Sequence, residues 1–456
     1  MMTEALKYFR FDALLQQQGW IRPAYVGVNA QGIIRYLSES APTHSVALEV
    51  VRGVAIPGFP NGHSHAFQYA MAGMAEKHLP GSNDDFWSWR ETMYDCALRM
   101  QPDQMEAIAT RLYVEMLRRG YTQVAEFHYL HHDTHGRPYT NLSETGERLL
   151  AAAENAGIRI TLIPVFYQMG GFGKGAEPRQ RRFISATVDD YFKLLNASRD
   201  SVKKYEKASL GFGVHSLRAV TAADVFRTVE SGPKDLPFHL HAAEQLKEVD
   251  DCLVQLKQRP VEWLLNNLPL QERFNLVHCT HMDPEEIRRL AKSGATVILC
   301  PGTEGNLGDG IFPLTEFARH YGNFCIGTDS HISLNFLEDL RWLDYGQRLT
   351  SHRRNTFDDG ANVLLNKAIP CGRKAMGIKS DNFFTTDQPL DAVIFKTSAH
   401  LTSEHLLPTI LYTADASSIL GTLVDGDWIV KGLNHKREKS IQLKFEKAMS
   451  ELMQRR

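Results

Sequence analysis

Hydrophobic and polar positions along the 456 residues fall into three regimes. In the first, short apolar or alternating runs at 20–28 and 32–37 flank the turn signal Ala30-Gln31-Gly32, and a third run covers 45–53. All three predict strands. The run 54–59 follows directly and leads into His63-Ser64-His65. The second regime alternates apolar runs at 121–129, 159–165, 209–215, 237–241, 274–278, 295–300 and 323–327 with amphipathic stretches such as 102–119, 143–156, 189–204 and 284–292. Counting 54–59, eight strands spaced by helices predict a closed parallel barrel rather than an open sheet. Beyond about residue 365, strand patterns return at 389–395, 410–412 and 421–430, with a hairpin signal at Asp425-Gly426-Asp427 and a final helix over 440–454. The expectation is an α/β chain. A distorted (β/α)8 TIM-like barrel covers 57–370, and a small β-sandwich domain is assembled from 1–56 and 371–456.

Composition narrows the class without naming a chemistry. A hydrophobic content of 43% and an aromatic content of 10% support a large folded core. The formal net charge of -2 offers no field to draw nucleic acid or an anionic membrane, so any anion must be met by individually placed arginines. Cys96, Cys252, Cys279, Cys300, Cys325 and Cys371 stand singly, without the close spacing of a zinc ribbon, redox motif or disulfide framework. Glu4, Lys7, Arg10 and Asp12 interrupt the beginning of the chain, unlike a signal peptide, and no apolar run is long enough to span a bilayer. A soluble, reduced, cytoplasmic enzyme is expected.

The candidate chemistry lies where the strands stop. In a (β/α)8 barrel the C-terminal strand ends converge on one face, and here they carry His63 and His65, Tyr129, His215, His241, His278 and Asp329 in turn. His63 and His65 are two apart in an extended segment, so both side chains point the same way, as chelation of one ion needs. His239-Leu240-His241 is a second pair, in which the end position puts His241 at the rim and His239 a layer deeper, in the core. Asp329 closes the apolar run Phe324-Cys325-Ile326-Gly327-Thr328. As a ligand it would complete a set of three imidazoles and a carboxylate. It could also take a proton from a metal-activated water, whose pKa falls from 15.7 to about 7. Glu244, three residues past His241, is off the metal but within reach of a substrate, where a carboxyl can shuttle protons.

Two richer-looking segments are set aside. His128-Tyr129-Leu130-His131-His132-Asp133-Thr134-His135 is one local polar loop that fixes no common centre, and its Tyr129 is better placed to meet a substrate. Gly302-Thr303-Glu304-Gly305-Asn306-Leu307-Gly308-Asp309-Gly310 is glycine-rich like a phosphate loop but lacks the Gly-Lys-Ser/Thr ending. It is expected to shape the site as a loop.

His63-Ser64-His65, His241-x-x-Glu244, His278 and Thr328-Asp329-Ser330 together resemble the amidohydrolase superfamily, and within it the deaminase-like branch with one metal, over roughly residues 20–431. No lysine ends the run 159–165, counted as the fourth strand, where two-metal members carry a carboxylated one. Asn61-Gly62-His63-Ser64-His65-Ala66-Phe67-Gln68, Ala125-Glu126-Phe127-His128-Tyr129, Gly213-Val214-His215-Ser216-Leu217-Arg218 and Asn306-Leu307-Gly308-Asp309-Gly310 are similar, more narrowly, to the formimidoylglutamate deiminase family. Gly302 and Gly305 stand where bulkier residues would be expected.

That resemblance implies hydrolysis of N-formimidoyl-L-glutamate to N-formyl-L-glutamate and ammonia, a step of histidine degradation. It implies a divalent ion on His63, His65, His241 and Asp329, with zinc favoured and iron or manganese also compatible. Glu244, His278 and Asp329 are the implied catalytic residues, His278 holding the water without ligating the metal, and a homodimer is the implied assembly. Gln68, Tyr129 and His215 match the family's substrate contacts, and Arg90 and Arg218 its carboxylate anchors, as suits a dicarboxylate met by bidentate guanidinium groups. A sibling deaminase acting on guanine or another ring substrate is the enzymatic alternative, which paired arginines argue against. A scaffold or binding protein would be marked by a lost ligand, and none is missing.

Overall fold

The computed structural model describes residues 5–43, 47–76, 86–357, 360–397 and 401–454. Ser45 and Val46, at the start of the expected strand 45–53, lie outside them. Two nine-stranded sheets carry the architecture. The first is a barrel whose consecutive strands are Phe59–Ser64, Tyr121–His128, Arg159–Phe166, Phe212–Ser216, Phe238–Ala242, Phe274–His278, Thr296–Leu299 and Asn323–Ile326. Neighbours pair in parallel throughout. The short strand Ala208–Leu210 pairs beside Arg159–Phe166 just before Phe212. A parallel bridge between Ser64 and Asp329 brings the eighth strand back to the first, so the barrel is nearly closed. These strands are almost wholly buried, which is why they read as apolar runs rather than alternating ones. Side-chain oxygens of Thr187, Thr221 and Asp283 cap backbone N–H groups at the starts of the helices Val188–Val202, Ala222–Ser231 and Pro284–Ser293.

The second sheet joins both chain ends. Lys7–Gln16, a strand not anticipated from the sequence, pairs antiparallel with Ala24–Val28 and parallel with Leu48–Pro57. Leu48–Pro57 in turn pairs antiparallel with Ala392–Phe395, and the sheet continues through Ile419–Val424 and Asp427–Lys431.

Four differences from the sequence reading have physical causes. The run 54–59 is not one barrel strand: residues up to Pro57 finish the terminal sheet, and the barrel begins at Phe59. Between them, a Cβ at Gly58 would fall 2.3 Å from Thr122, so the crossing needs glycine. Residues 410–412 belong to the helix Ser403–Thr413, which buries Leu406, Leu407, Ile410 and Leu411 at helical spacing. The run 159–165 is the third barrel strand, and the fourth, Phe212–Ser216, also ends without a lysine. The glycine-rich segment is not all loop: Pro301–Leu307 is a short helix, opened by Pro301 in its first turn and ended by Gly308 at φ +71°.

Candidate metal centre and active site

The seam where the first and eighth strands meet brings His63, His65 and Asp329 together. The N–H groups of Thr328 and Asp329 donate to the His63 carbonyl at 3.0 and 3.1 Å, and the N–H of His65 donates to the Asp329 carbonyl at 3.2 Å. Gly327 lies flat against this seam, since a Cβ there would be 2.6 Å from His63 Cβ. His241 arrives from the fifth strand. His63 Nε2 lies 3.1 Å from Nε2 of both His65 and His241. Asp329 Oδ1 is 3.4 Å and 3.2 Å from Nε2 of His63 and His65. His65 Nδ1 donates to the Phe127 carbonyl at 2.9 Å and His241 Nδ1 to the His215 carbonyl at 3.0 Å, which turns both Nε2 lone pairs inward. Nitrogen ligands about 2.0–2.1 Å from one zinc stand roughly 3.0–3.4 Å from each other. The donor set fits a divalent ion.

The electrostatics agree. Burial, with His65 adding to it, pushes His63 down to about 3, and burial together with His215 holds His241 well below the ordinary imidazole range. Both are therefore neutral at physiological pH, the form that binds metal. Burial opposes ionisation of Asp329, but the imidazoles of His63 and His65 outweigh it and hold the carboxyl well below the usual range.

His278 sits beside this cluster. Its Nδ1 is 3.2 Å from Glu304 Oε1, while its Nε2 lies 3.6 Å from Glu244 Oε1 and 3.9 Å from Asp329 Oδ2. That Nε2 is buried without a hydrogen-bond partner among the described residues. Burial would lower His278, but Glu244, Glu304 and Asp329 together push it up to about 10. His278 and Asp329 leave their strands at φ +73° and +48°, unfavourable conformations that aim both side chains at the centre. Glu244 Oε2 accepts from Arg218 Nη2 at 3.0 Å. Glu248, behind it, accepts the backbone N–H groups of Ala243 and Glu244.

A cavity of about 350 Å³ opens over the cluster, with Gln68, Arg90, Tyr129, His215 and Arg218 on its walls and His65, His241, Glu244 and Asp329 toward its base. His63 and His278 lie outside its lining. Gln68 Nε2 donates to the Tyr129 hydroxyl at 3.0 Å, and the His215 ring packs on Tyr167 with centroids 4.6 Å apart.

The amidohydrolase family model matches residues 54–429, which takes in the whole barrel. The chain belongs to the amidohydrolase family. It is 41% identical to the formimidoylglutamate deiminase of Pseudomonas aeruginosa over 97% of this chain and 98% of that one. Its identity to the 8-oxoguanine deaminase of the same species is 28%, over 65% of each chain. Among solved structures, an amidohydrolase from Brucella melitensis is 40% identical, with a TM-score of 0.91, covering 98% of this chain and all of that one. A zinc-bound adenosine deaminase from Xanthomonas campestris shares the fold at 19% identity and a TM-score of 0.78, with 98% of each chain covered. This amidohydrolase is thus a metal-dependent hydrolase acting on a C–N bond. Among its described residues, no helix is long and apolar enough to cross a membrane.

Four other histidines of this amidohydrolase have separate partners. His128 Nε2 meets the Thr145 hydroxyl at 3.0 Å, and Nε2 of His131 and His132 donate to the carbonyls of Val165 and Ile184 at 2.9 and 2.8 Å. His128 and His131 are buried, so the segment is less polar in its surroundings than its sequence suggests. His239 is buried and donates to the Ala375 carbonyl at 2.8 Å. The sequence reading missed Glu126, Glu248 and Glu304. Glu126 accepts from Ser64 Oγ and from the Ala66 N–H, both at 2.6 Å, and so clamps the His-x-His turn. Burial pushes its carboxyl up to about 7. The available signal was a carboxylate inside a wholly buried strand whose only other ionisable groups are Tyr121 at its start and His128 at its end.

Proposed function

We propose that this amidohydrolase is a formimidoylglutamate deiminase, converting N-formimidoyl-L-glutamate and water to N-formyl-L-glutamate and ammonia. The reading is carried by the 41% identity, over nearly the whole chain, to the Pseudomonas aeruginosa enzyme of that name. The cavity agrees with it, because Arg90 and Arg218 offer two guanidinium groups to a dicarboxylate. His63, His65, His241 and Asp329 would hold one divalent ion, with zinc the best match to three imidazoles and a carboxylate. Such an ion lowers the pKa of bound water from 15.7 to about 7, supplying a nucleophile at neutral pH.

The side chains divide the remaining work. Asp329 takes the proton of the attacking water, and the inward Nε2 of His278 holds that water against the formimidoyl carbon. Arg90 and Arg218 anchor the carboxylates, with Gln68, Tyr129 and His215 shaping the wall between them. Glu244 delivers one proton to the imino nitrogen and Asp329 passes on the one it took from the water. The C–N bond then breaks as ammonia leaves, and the new hydroxyl returns a proton to Glu244 as the formyl C=O forms. Because Arg218 also holds Glu244 Oε2, one guanidinium both anchors substrate and orients the proton donor. A barrel over 57–370 flanked by a domain from 1–56 and 371–456, a homodimeric assembly, a cytoplasmic location and a place in histidine degradation belong to the same proposal.

Ammonia release from N-formimidoyl-L-glutamate and from guanine, with metal analysis of the purified protein, tests it. Release from the first alone, with one equivalent of divalent metal per chain, is expected. Activity on guanine alone overturns the reading.

A further inference from the structure

Next to Glu244 the structure leaves a second acceptor without a donor. Asp309 lies just past the helix Pro301–Leu307 and is only 3% exposed. Its Oδ1 accepts the side-chain amide of Gln245, while its Oδ2 is buried with no hydrogen-bond partner among the described residues. An oxygen of Asp309, an oxygen of Glu244 and a ring nitrogen of His278 lie within 4.8 Å of one another. The outer side of each group is already engaged: Asp309 by Gln245, Glu244 by Arg218 and His278 by Glu304. Two buried carboxylates this close call for a cation or an N–H donor between them. Burial and then the charge of Glu244 push the Asp309 carboxyl up to about 9, with His278 only partly offsetting them, so both carboxyls ionise only when a further cationic N–H group lies between them.

We propose that Glu244 and Asp309 together form a subsite for the terminal nitrogen of an amidinium group, each carboxylate accepting one of its two N–H bonds. This rests on the deiminase reading and deepens it. An amidine is protonated at neutral pH, and the proton it shares with the Glu244 carboxylate is the one Glu244 delivers. Its terminal nitrogen then carries two N–H bonds directed apart, matching two acceptors on one side of the reacting carbon. The formamide product carries an oxygen at that place. It has no N–H to offer, so it cannot hold both carboxyls ionised and is received only where Asp309 keeps a proton. The same pair therefore favours the amidine and disfavours its product, and Asp309 becomes a specificity residue for deimination.

Asp309→Asn, made in the metal-loaded enzyme, replaces one acceptor oxygen by an N–H donor of the same size. The expected result has two opposite signs. For N-formimidoyl-L-glutamate kcat/KM falls about 10- to 100-fold, the scale of one charged hydrogen bond, while the inhibition constant of N-formyl-L-glutamate falls about tenfold as the introduced amide donates to the formyl oxygen. Damage to the fold would weaken both ligands. Asp309→Ala, which removes the acceptor and adds no donor, should lose substrate affinity without gaining product affinity. Unchanged kinetics in both variants, or equal weakening of both ligands, overturns the subsite. So does a second equivalent of zinc taken up by the wild-type enzyme and not by Asp309→Asn, because it would assign the free acceptor to a metal. A wild-type enzyme inactive on N-formimidoyl-L-glutamate would instead remove the deiminase reading on which the subsite stands, so the two failures are distinguishable.

Discussion

Two histidine-rich regions of this barrel have opposite fates. The run from His128 to His135 packs four histidines into eight residues, yet those of its imidazoles that are buried are tied to separate partners. His63 and His241 come from strands 178 residues apart, and their Nε2 atoms are 3.1 Å from each other. The deciding variable is whether the nitrogen each ring leaves free faces the others. In the cluster, Nδ1 of His65 and His241 bonds outward to a strand carbonyl and Nε2 points to a common centre. In the run, Nε2 is tied to a hydroxyl or a carbonyl, and the nitrogen left over, unpartnered at Nδ1 of His131, joins no convergent set of donors among the described residues. Imidazole density is a poor guide; convergence set by strand register is a good one.

Exchanging one imidazole in each region is the strongest way to break that contrast. His241→Ala should strip the metal and lower kcat/KM about a thousandfold or more, while His131→Ala keeps metal content and stays within about twofold in rate. Metal analysis after gel filtration decides it, and full occupancy in His241→Ala would dissolve the contrast. Asp329→Asn, which keeps an oxygen ligand and loses the base, should retain metal and lower kcat about 10²- to 10⁴-fold. Near-normal turnover in that variant would remove Asp329 from proton transfer. Among the wall residues, Arg90→Met should raise KM about 10- to 100-fold with kcat little changed, whereas Arg218→Met should lower kcat as well, because Glu244 loses its partner.

Smaller effects sharpen the other side. His131→Ala leaves the buried Val165 carbonyl unpaired and should cost about 1–3 kcal/mol in urea unfolding. Burial pushes His131 down to about 3 from an ordinary 6.5, so the unfolded chain binds this proton more readily than the folded one. Its contribution is fully present above about pH 6.5 and is lost as pH falls toward 3, with a slope of up to about 1.4 kcal/mol per pH unit. His131→Asn should flatten the unfolding free energy between pH 7 and pH 5 relative to wild type. An identical slope in the two proteins would mean that His131 is not held neutral.

Much of the donor set was legible because barrel strands must bury both faces, so His63, His65, His241, His278 and Asp329 each stand out at the end of an apolar run. Their supports were not legible. Glu126 lies 62 residues from the Ser64 it holds, and Glu304 lies 26 from His278; both contacts depend on the register of whole strands and loops. The same limit blurred the fold. Apolar continuity through 54–59 merged strands of two different sheets, because the single residue Gly58 makes the crossing. At 410–412, Ile410-Leu411-Tyr412 reads as a strand by composition, but burial at 406, 407, 410 and 411 gives the segment to a helix.

The terminal sheet sets a timetable for the newborn chain. Leu48–Pro57 can find Lys7–Gln16 almost as soon as both leave the ribosome, but its other edge belongs to Ala392–Phe395, which is translated only after the whole barrel. At about 5–20 residues per second, that edge stays uncovered for on the order of tens of seconds. Val54, Ala55 and Ile56, all buried at the end, lie on it. An uncovered apolar strand edge is a template for pairing with other chains. It is the nascent polypeptide, then, more than the finished enzyme, that stands to gain from a chaperone.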